Sequence, residues 1–244
     1  ITGFQGISNN RRITTLGRGG SDATAISIAK FFSADDCFIY TDVSGVYTTD
    51  PKLNSKAKKI KKISYEEMLE MASLGAKIMQ PISLQDAMIN DIDINVRSTF
   101  INSNGTKISN NQQLFNKNPI TGIAFTKNEA KITLIGVMDR PGTAASIFKP
   151  LADNQINVDM VVQTSSPDGG QTDITFTIIK DDVKNCIKIL KENKKISYKK
   201  IIHDDKVSKV SIVGVGMITT PGVTYRMFQA LAKKKINIMV ISTS

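Results

Sequence analysis

The spacing of apolar residues divides the chain into elements. Over 23–33 and 64–74 they recur at the helical period, and in the second stretch Met68, Leu69, Met71, Ala72 and Leu74 form one stripe that predicts burial against a core. Ser64-Tyr65-Glu66-Glu67 opens that helix with serine and glutamate three apart, the pattern in which two side chains reciprocally satisfy free backbone N–H groups. Residues 1–7 read as a strand and Asp36-Cys37-Phe38-Ile39-Tyr40-Thr41 as a buried one, while Ile92-Asp93-Ile94-Asn95-Val96-Arg97 alternates as a half-exposed strand does. From Asn102 to Asn118 no apolar period survives among asparagine, serine, glutamine and lysine. This predicts a linker over 106–119 and a domain boundary.

Beyond the linker the chain repeats itself. Lys131-Ile132-Thr133-Leu134-Ile135-Gly136-Val137-Met138 returns 78 residues later as Lys209-Val210-Ser211-Ile212-Val213-Gly214-Val215-Gly216, and Arg140-Pro141-Gly142 returns 80 residues later as Thr220-Pro221-Gly222. Two residues have been added to the intervening loop. Each copy reads as an apolar strand, a Pro-Gly turn, a helix, and a second strand starting at Ile156-Asn157 or Ile236-Asn237. The first copy continues with a turn at 167–170, an alternating strand at 172–179 and a helix near 181–193. That order, β-α-β-β-α with a last strand to follow, is ferredoxin-like.

The chemistry concentrates earlier, at Thr14-Thr15-Leu16-Gly17-Arg18-Gly19-Gly20-Ser21-Asp22, which leads into the first helix. Its glycines let backbone approach a ligand closely, Ser21 and Asp22 fall where a helix start presents free N–H groups, and Arg18 offers a planar fork for a carboxylate or phosphate. A second polar loop, Asp42–Pro51, leaves the strand at 36–41. If residues 1–7 supply the strand before the first loop, both loops line one crevice at the carboxyl edge of a sheet. There Thr41 and Asp42 suit a nucleotide's polar groups, Tyr47 its base and Lys52 its phosphates.

The chain resembles the aspartate kinases of the amino-acid kinase family through TTLGRGGSD, YTDVSGVYTTDP and, at 63–81, ISYEEMLEMASLGAKIMQP. The resemblance implies transfer of the γ-phosphoryl group of ATP, with Mg2+, to the side-chain carboxylate of L-aspartate. By match to the family's motifs, Arg18, Gly19, Gly20 and Ser21 bind the amino acid, Thr41, Asp42, Tyr47 and Lys52 bind the nucleotide, and Lys77 faces the phosphates; Arg18, Asp22 and Lys77 are the catalytic candidates, with Asp22 an organiser. No residue is assigned to a metal. Family members often have arginine where Lys52 stands, and lysine keeps the charge but loses the bidentate geometry.

The repeat resembles the ACT domain, an amino-acid sensor that aspartate kinases carry in pairs. The resemblance implies effector binding of lysine, threonine or both at Asp139, Arg140, Pro141, Gly142, Thr143 and Ala144 with Asn157, Val158, Asp159 and Gln163. In the second copy the matches are Met217 to Thr224, including Thr220, Pro221, Gly222, Val223 and Thr224, with Asn237 and Ile238. Asp139 and Asp159 have no counterpart there, so the two sites are expected to differ. A helix start with proline in its first turn is the bland alternative for these loops. The expected fold is α/β: the C-terminal part of an amino-acid-kinase three-layer α/β/α domain at 1–105, the linker, then ferredoxin-like ACT domains at 120–206 and 207–244, the second truncated. Beginning inside a strand and lacking the family's phosphate loop, the chain is expected to be a fragment, inactive by itself.

Composition narrows the alternatives. The 244 residues are 41% hydrophobic, enough for a core in each unit. No apolar run approaches the roughly 20 residues of a membrane span. Cys37 and Cys186 form no metal or redox motif, so buried reduced thiols and a cytoplasmic setting are expected, and His203 stands alone. The net charge of +10 gathers at 52–62 and 194–200. Arginine and aromatic interleaving is sparse, so these runs read as solvated faces rather than a nucleic-acid site. Three readings remain: an aspartate kinase assembling at least as a homodimer through ACT domains, a regulatory amino-acid-binding polypeptide without catalysis, and a kinase acting on glutamate, acetylglutamate or a nucleotide monophosphate. The tandem ACT repeat and TTLGRGGSD weigh against the last.

Overall fold

A computed structural model of the protein describes residues 2–76, 78–110, 118–165 and 170–243. The chain divides into two compact units, Ile1–Phe125 with Val210–Lys235, and Thr126–Lys209 with Ile236–Ser244. Residues 210–235, expected within the second ACT copy, thus group with the first unit.

The first unit begins with a hairpin of β1 (Gln5–Ile7) and β2 (Ile13–Thr15), paired only with each other. The strand expected over 1–7 is therefore not part of the main sheet. Helix α1 (Gly20–Phe31), strand β3 (Cys37–Thr41), strand β4 (Lys62–Ser64), helices α2 (Tyr65–Ser73) and α3 (Pro81–Ile89), and strands β5 (Ile94–Ser98) and β6 (Thr106–Ser109) follow. The sheet order is β3-β5-β6-β4, with β3/β5 and β4/β6 parallel and β5/β6 antiparallel. Its core joins Ile26 of α1, Met68 and Met71 of α2 and Leu84 of α3 to Ile94, Val96 and Ile108 of the sheet.

Three expectations change here. The linker predicted over 106–119 opens on a strand, because the buried Thr106 hydroxyl accepts the Val46 N–H at 2.8 Å and donates to the Ile60 carbonyl at 2.6 Å. Residues 111–117 lie outside the described residues. Strand β5 is not half-exposed: it runs between β3 and β6, with the Asn95 amide on Asp36 at 2.7 Å, the Ser98 hydroxyl under the Phe100 and Ile101 N–H groups, and the Arg97 guanidinium over the Phe38 ring at 4.7 Å, its Nε without a hydrogen-bond partner among the described residues. Strand β3 is outermost in the sheet, burying Cys37 and Ile39 while exposing Phe38 and Tyr40.

The ferredoxin-like order runs β7 (Gly122–Met138), α4 (Thr143–Asp153), β8 (Val161–Ser165), β9 (Gln171–Ile178), α5 (Val183–Glu192) and β10 (Lys200–Val213), arranged β10-β7-β9-β8, all in the second unit except Gly122–Phe125 of β7 and Val210–Val213 of β10. Ile132, Leu134, Ile147, Leu151, Phe176 and Leu190 fill that unit's core. A bulge between Leu134 and Val137 turns on Gly136, whose N–H donates to Asp173 at 2.8 Å. Strand β8 starts at Val161 rather than Ile156, and the turn expected at 167–170 falls mostly outside the described residues. Helix α6 (Val223–Lys233) follows the second Pro-Gly turn, but the strand expected from Ile236 is absent from the described residues through 243, where no neighbouring strand receives its backbone groups. Both cysteines are buried, and burial pushes the Cys186 thiol up to about 12. Among the described residues no helix is long and apolar enough to cross a membrane.

Candidate functional site

After β2 the chain makes two left-handed turns, at Gly17 (φ 77°) and Gly19 (φ 79°), and the second caps α1. Gly19 is also confined, since a Cβ there would lie 2.1 Å from Cγ of Gln80. The loop is pinned behind Gly19 as well. Thr24 Oγ1 donates to the Gly20 carbonyl at 2.7 Å and accepts the Phe4 N–H at 3.1 Å. Gln80 caps α3, whose first residue is Pro81, so two helix starts with free N–H groups converge on Arg18 and Gly19. Neither start has a side-chain cap hydrogen bond, but the Gly20 and Ser83 N–H groups already donate to the Gly17 and Gln80 carbonyls and Pro81 has none, so the donors left are the N–H groups of Ser21, Asp22 and Ile82.

Two open clefts flank Arg18, whose side chain is exposed. The larger, about 390 Å³, lies between the start of α1 and the face of α3 carrying Ile82, Gln85 and Asp86. The smaller, about 160 Å³, is closed by Gly75, Ala76 and Gln80 of the α2–α3 connection. Lys77 belongs to that connection and lies outside the described residues. Ser21 is exposed beside the loop, and burial raises the Asp22 carboxyl above its ordinary value. Burial also raises the Cys37 thiol, with the Asp22 charge adding to it.

The nucleotide candidates lie elsewhere in this unit. Thr41 donates to Asp42 at 3.1 Å, Tyr47 shares a hydrogen bond with Ser44 at 2.8 Å, and the Lys52 N–H donates to Asp50 at 2.8 Å. None of the four lines either cleft beside Arg18. The residues that line those clefts with Arg18 come instead from Gly75, Ala76, Gln80 and the first turns of α3. Sequence reading missed Gln80, Ile82, Gln85 and Asp86, although Pro81 marks a helix start.

In the second unit Gly142 caps α4 in a left-handed conformation (φ 90°), and Gly222 does the same for α6 in the first unit (φ 87°). Pro141 and Pro221 stand one residue before these caps rather than in the first helical turn. Asp139 accepts from the Gln163 amide at 3.3 Å, joining two effector candidates, while Arg140, Pro141, Ala144 and Asn157 are exposed. Asp159 is engaged by Lys209, which also lies 3.9 Å from Glu129. Thr220 and Thr224 flank the second cap; Asn237 and Ile238 fall in the segment without regular structure.

The Amino acid kinase family description matches residues 1–98, and that of the ACT domain matches 132–193 and 210–244. The aspartokinase of Pseudomonas aeruginosa is 46% identical across the whole of this chain, which spans 60% of that protein. The chain spans about 60% of the length of the curated relatives it matches. The crystal structure of Clostridium acetobutylicum aspartate kinase superposes with a TM-score of 0.87 at 30% identity, covering 100% of this chain and 56% of that one. Escherichia coli aspartokinase III, in complex with aspartate and ADP, superposes at 0.79 and 30% identity over 99% of this chain and 54% of its own. Its complex with lysine and aspartate superposes at 0.72 and 30% identity, covering 99% and 53%.

Proposed function

We propose, from the match of residues 1–98 to the amino acid kinase family and of the later segments to the ACT domain, as in the aspartokinases the chain matches along its whole length, that the protein built on it is an aspartate kinase. It transfers the γ-phosphoryl group of ATP to the side-chain carboxylate of L-aspartate, giving 4-phospho-L-aspartate. The observation that carries this reading is the convergence of two uncapped helix starts on Arg18, an arrangement built for a small anion. Aspartate's carboxylate is already ionised near neutral pH, so no base is required and the protein's work is positioning and charge neutralisation.

In this proposal Arg18, Gly19, Gly20 and Ser21 hold aspartate, and Asp22 orients the substrate amine or a neighbouring cation. Thr41, Asp42, Tyr47 and Lys52 hold the nucleotide, and Lys77 meets its phosphates. Among the described residues no three His, Cys, Asp or Glu side chains gather to cage a metal. Magnesium in phosphate sites is held largely by the nucleotide's own oxygens and water, so no side-chain cage is assigned to it here. When bound, the ion neutralises phosphate charge. The kinase portion extends through β6 to Ser109 rather than ending at 105, with ACT domains at 120–206 and from 207 onward. Lysine, threonine or both bind the ACT loops, oligomers form through those domains, and the protein works in the cytoplasm. An effector acts by binding one conformation better than another.

Two measurements test this. In a full-length version Arg18→Ala should lower kcat/KM for aspartate by about 100-fold or more, the scale of losing a charge-stabilising donor. Asp139→Ala should cost far less activity and blunt feedback inhibition; equal activity losses would contradict the division of labour. Calorimetric titration of this chain with lysine and threonine, then with ATP and magnesium, checks the nucleotide assignment. Effector heat without nucleotide heat would favour a purely regulatory polypeptide.

A further inference from the structure

Glu67 does not make the reciprocal bond its position in Ser64-x-x-Glu67 predicts. Ser64 accepts the Glu67 N–H at 3.2 Å, but the Glu67 carboxylate turns to the segment after β10. One oxygen, Oε1, accepts the Thr121 hydroxyl and, at 3.4 Å, the backbone N–H of Val215. The Thr121 N–H in turn donates to the Val213 carbonyl at 2.8 Å. A carboxylate, a buried threonine and two backbone groups thus form a closed clasp between α2 and residues 213–215. Hydrogen bonds to an ionised acceptor are stronger than neutral ones.

The clasp is held at close range. A Cβ on Gly214 would fall 2.3 Å from the Pro119 carbonyl oxygen, and one on Gly216 2.7 Å from Cα of Pro119. On one side Val215 opens a 3-10 turn, Val215–Met217, that runs directly into Thr220-Pro221-Gly222 and α6. On the other, α2 ends in the turn where the Leu74 N–H bonds the Glu70 carbonyl at 3.0 Å and the Ala76 N–H the Met71 carbonyl at 2.8 Å. Gly75 and Ala76 of that turn share the smaller cleft with Arg18.

We propose that Glu67 is a positioning residue that couples the second Pro-Gly loop to the helix end beside Arg18. A change in the loop shifts Val215, the clasp passes it to α2, and α2 carries it to Gly75 and Ala76. What this regulates rests on the kinase reading; the mechanical coupling does not.

Hydrogen exchange on the full chain tests it. Gly222→Ala strains the loop, since Gly222 holds φ 87° and a Cβ there meets no atom within 4 Å. With Glu67 present, Gly222→Ala should change exchange at Leu74, Gly75 and Ala76 by about fivefold or more, the lower range for coupled sites. With Glu67→Ala the same loop change should leave these amides nearly unmoved. Glu67→Gln keeps an acceptor oxygen and should restore the response, which a merely structural role would not do. If Glu67→Ala fails to fold, Thr121→Val removes one donor at similar volume and should weaken the response. Equal responses with and without Glu67, or none with Glu67 intact, would overturn the coupling. An exchange response in this chain together with no phosphoryl transfer by a full-length version would sink the kinase reading alone.

Discussion

Gly19 and Gly142 occupy the same kind of position, a left-handed cap before a helix, yet only Gly19 is also crowded. Alanine at 142 meets open space and bears backbone strain alone, a cost of about 1 kcal/mol. Alanine at 19 must also displace Gln80 and the start of α3, and about 3 kcal/mol or more is expected, comparable to overpacking a core. Urea unfolding of the two variants measures the gap; equal midpoints would mean Gln80 moves freely. Glu129 is a second informative residue. It is 7% exposed, its Oε2 has no hydrogen-bond partner, and burial raises its carboxyl above the ordinary value despite Lys209. The folded state therefore binds this proton more tightly than the unfolded chain. Its contribution to stability is full below the ordinary carboxylate range and lost as pH rises through the raised value. Glu129→Gln should stabilise the protein near neutrality and flatten that decline, as read from unfolding free energies between about pH 4 and pH 7.

At the level of elements, α4 carries Pro150 in its interior, where the missing N–H would leave the Ser146 carbonyl without its helical donor. Asn193, just past α5, fills the gap: its amide donates to that carbonyl at 2.9 Å while its oxygen accepts the Lys195 N–H at 3.0 Å. The proline thereby docks one helix end onto another. Asn193→Ala should cost about 1–3 kcal/mol, the range for an unpaired buried acceptor. In a Pro150→Ala background, where residue 150 regains its N–H, the same change should cost clearly less. A double-mutant cycle in denaturant measures the difference, and additive costs would show that Asn193 acts through something else.

Across the whole molecule, what sequence made legible was whatever a local rule fixes. The α2 stripe was readable because Met68 and Met71 must face the core, and the repeat because each copy needs a glycine cap before its helix. Three-residue strands carry too little pattern to detect, so the β1–β2 hairpin was missed. Strand β6 hid because its buried anchor, Thr106, is polar and satisfied only by residues far along the chain, Val46 and Ile60. The same limit applies at the site: the anion loop was visible, whereas Gln80 and α3 reach Arg18 only through tertiary packing. Strand β3 carries a consequence for handling the polypeptide. An outer strand that exposes Tyr40 and, under the Arg97 guanidinium, Phe38, with no lysine, proline or bulge along it, is an inviting template for another chain. Crowding the isolated polypeptide in a concentrated preparation favours rim-to-rim stacking there, and precipitation would begin at Phe38 and Tyr40 before any helix melts.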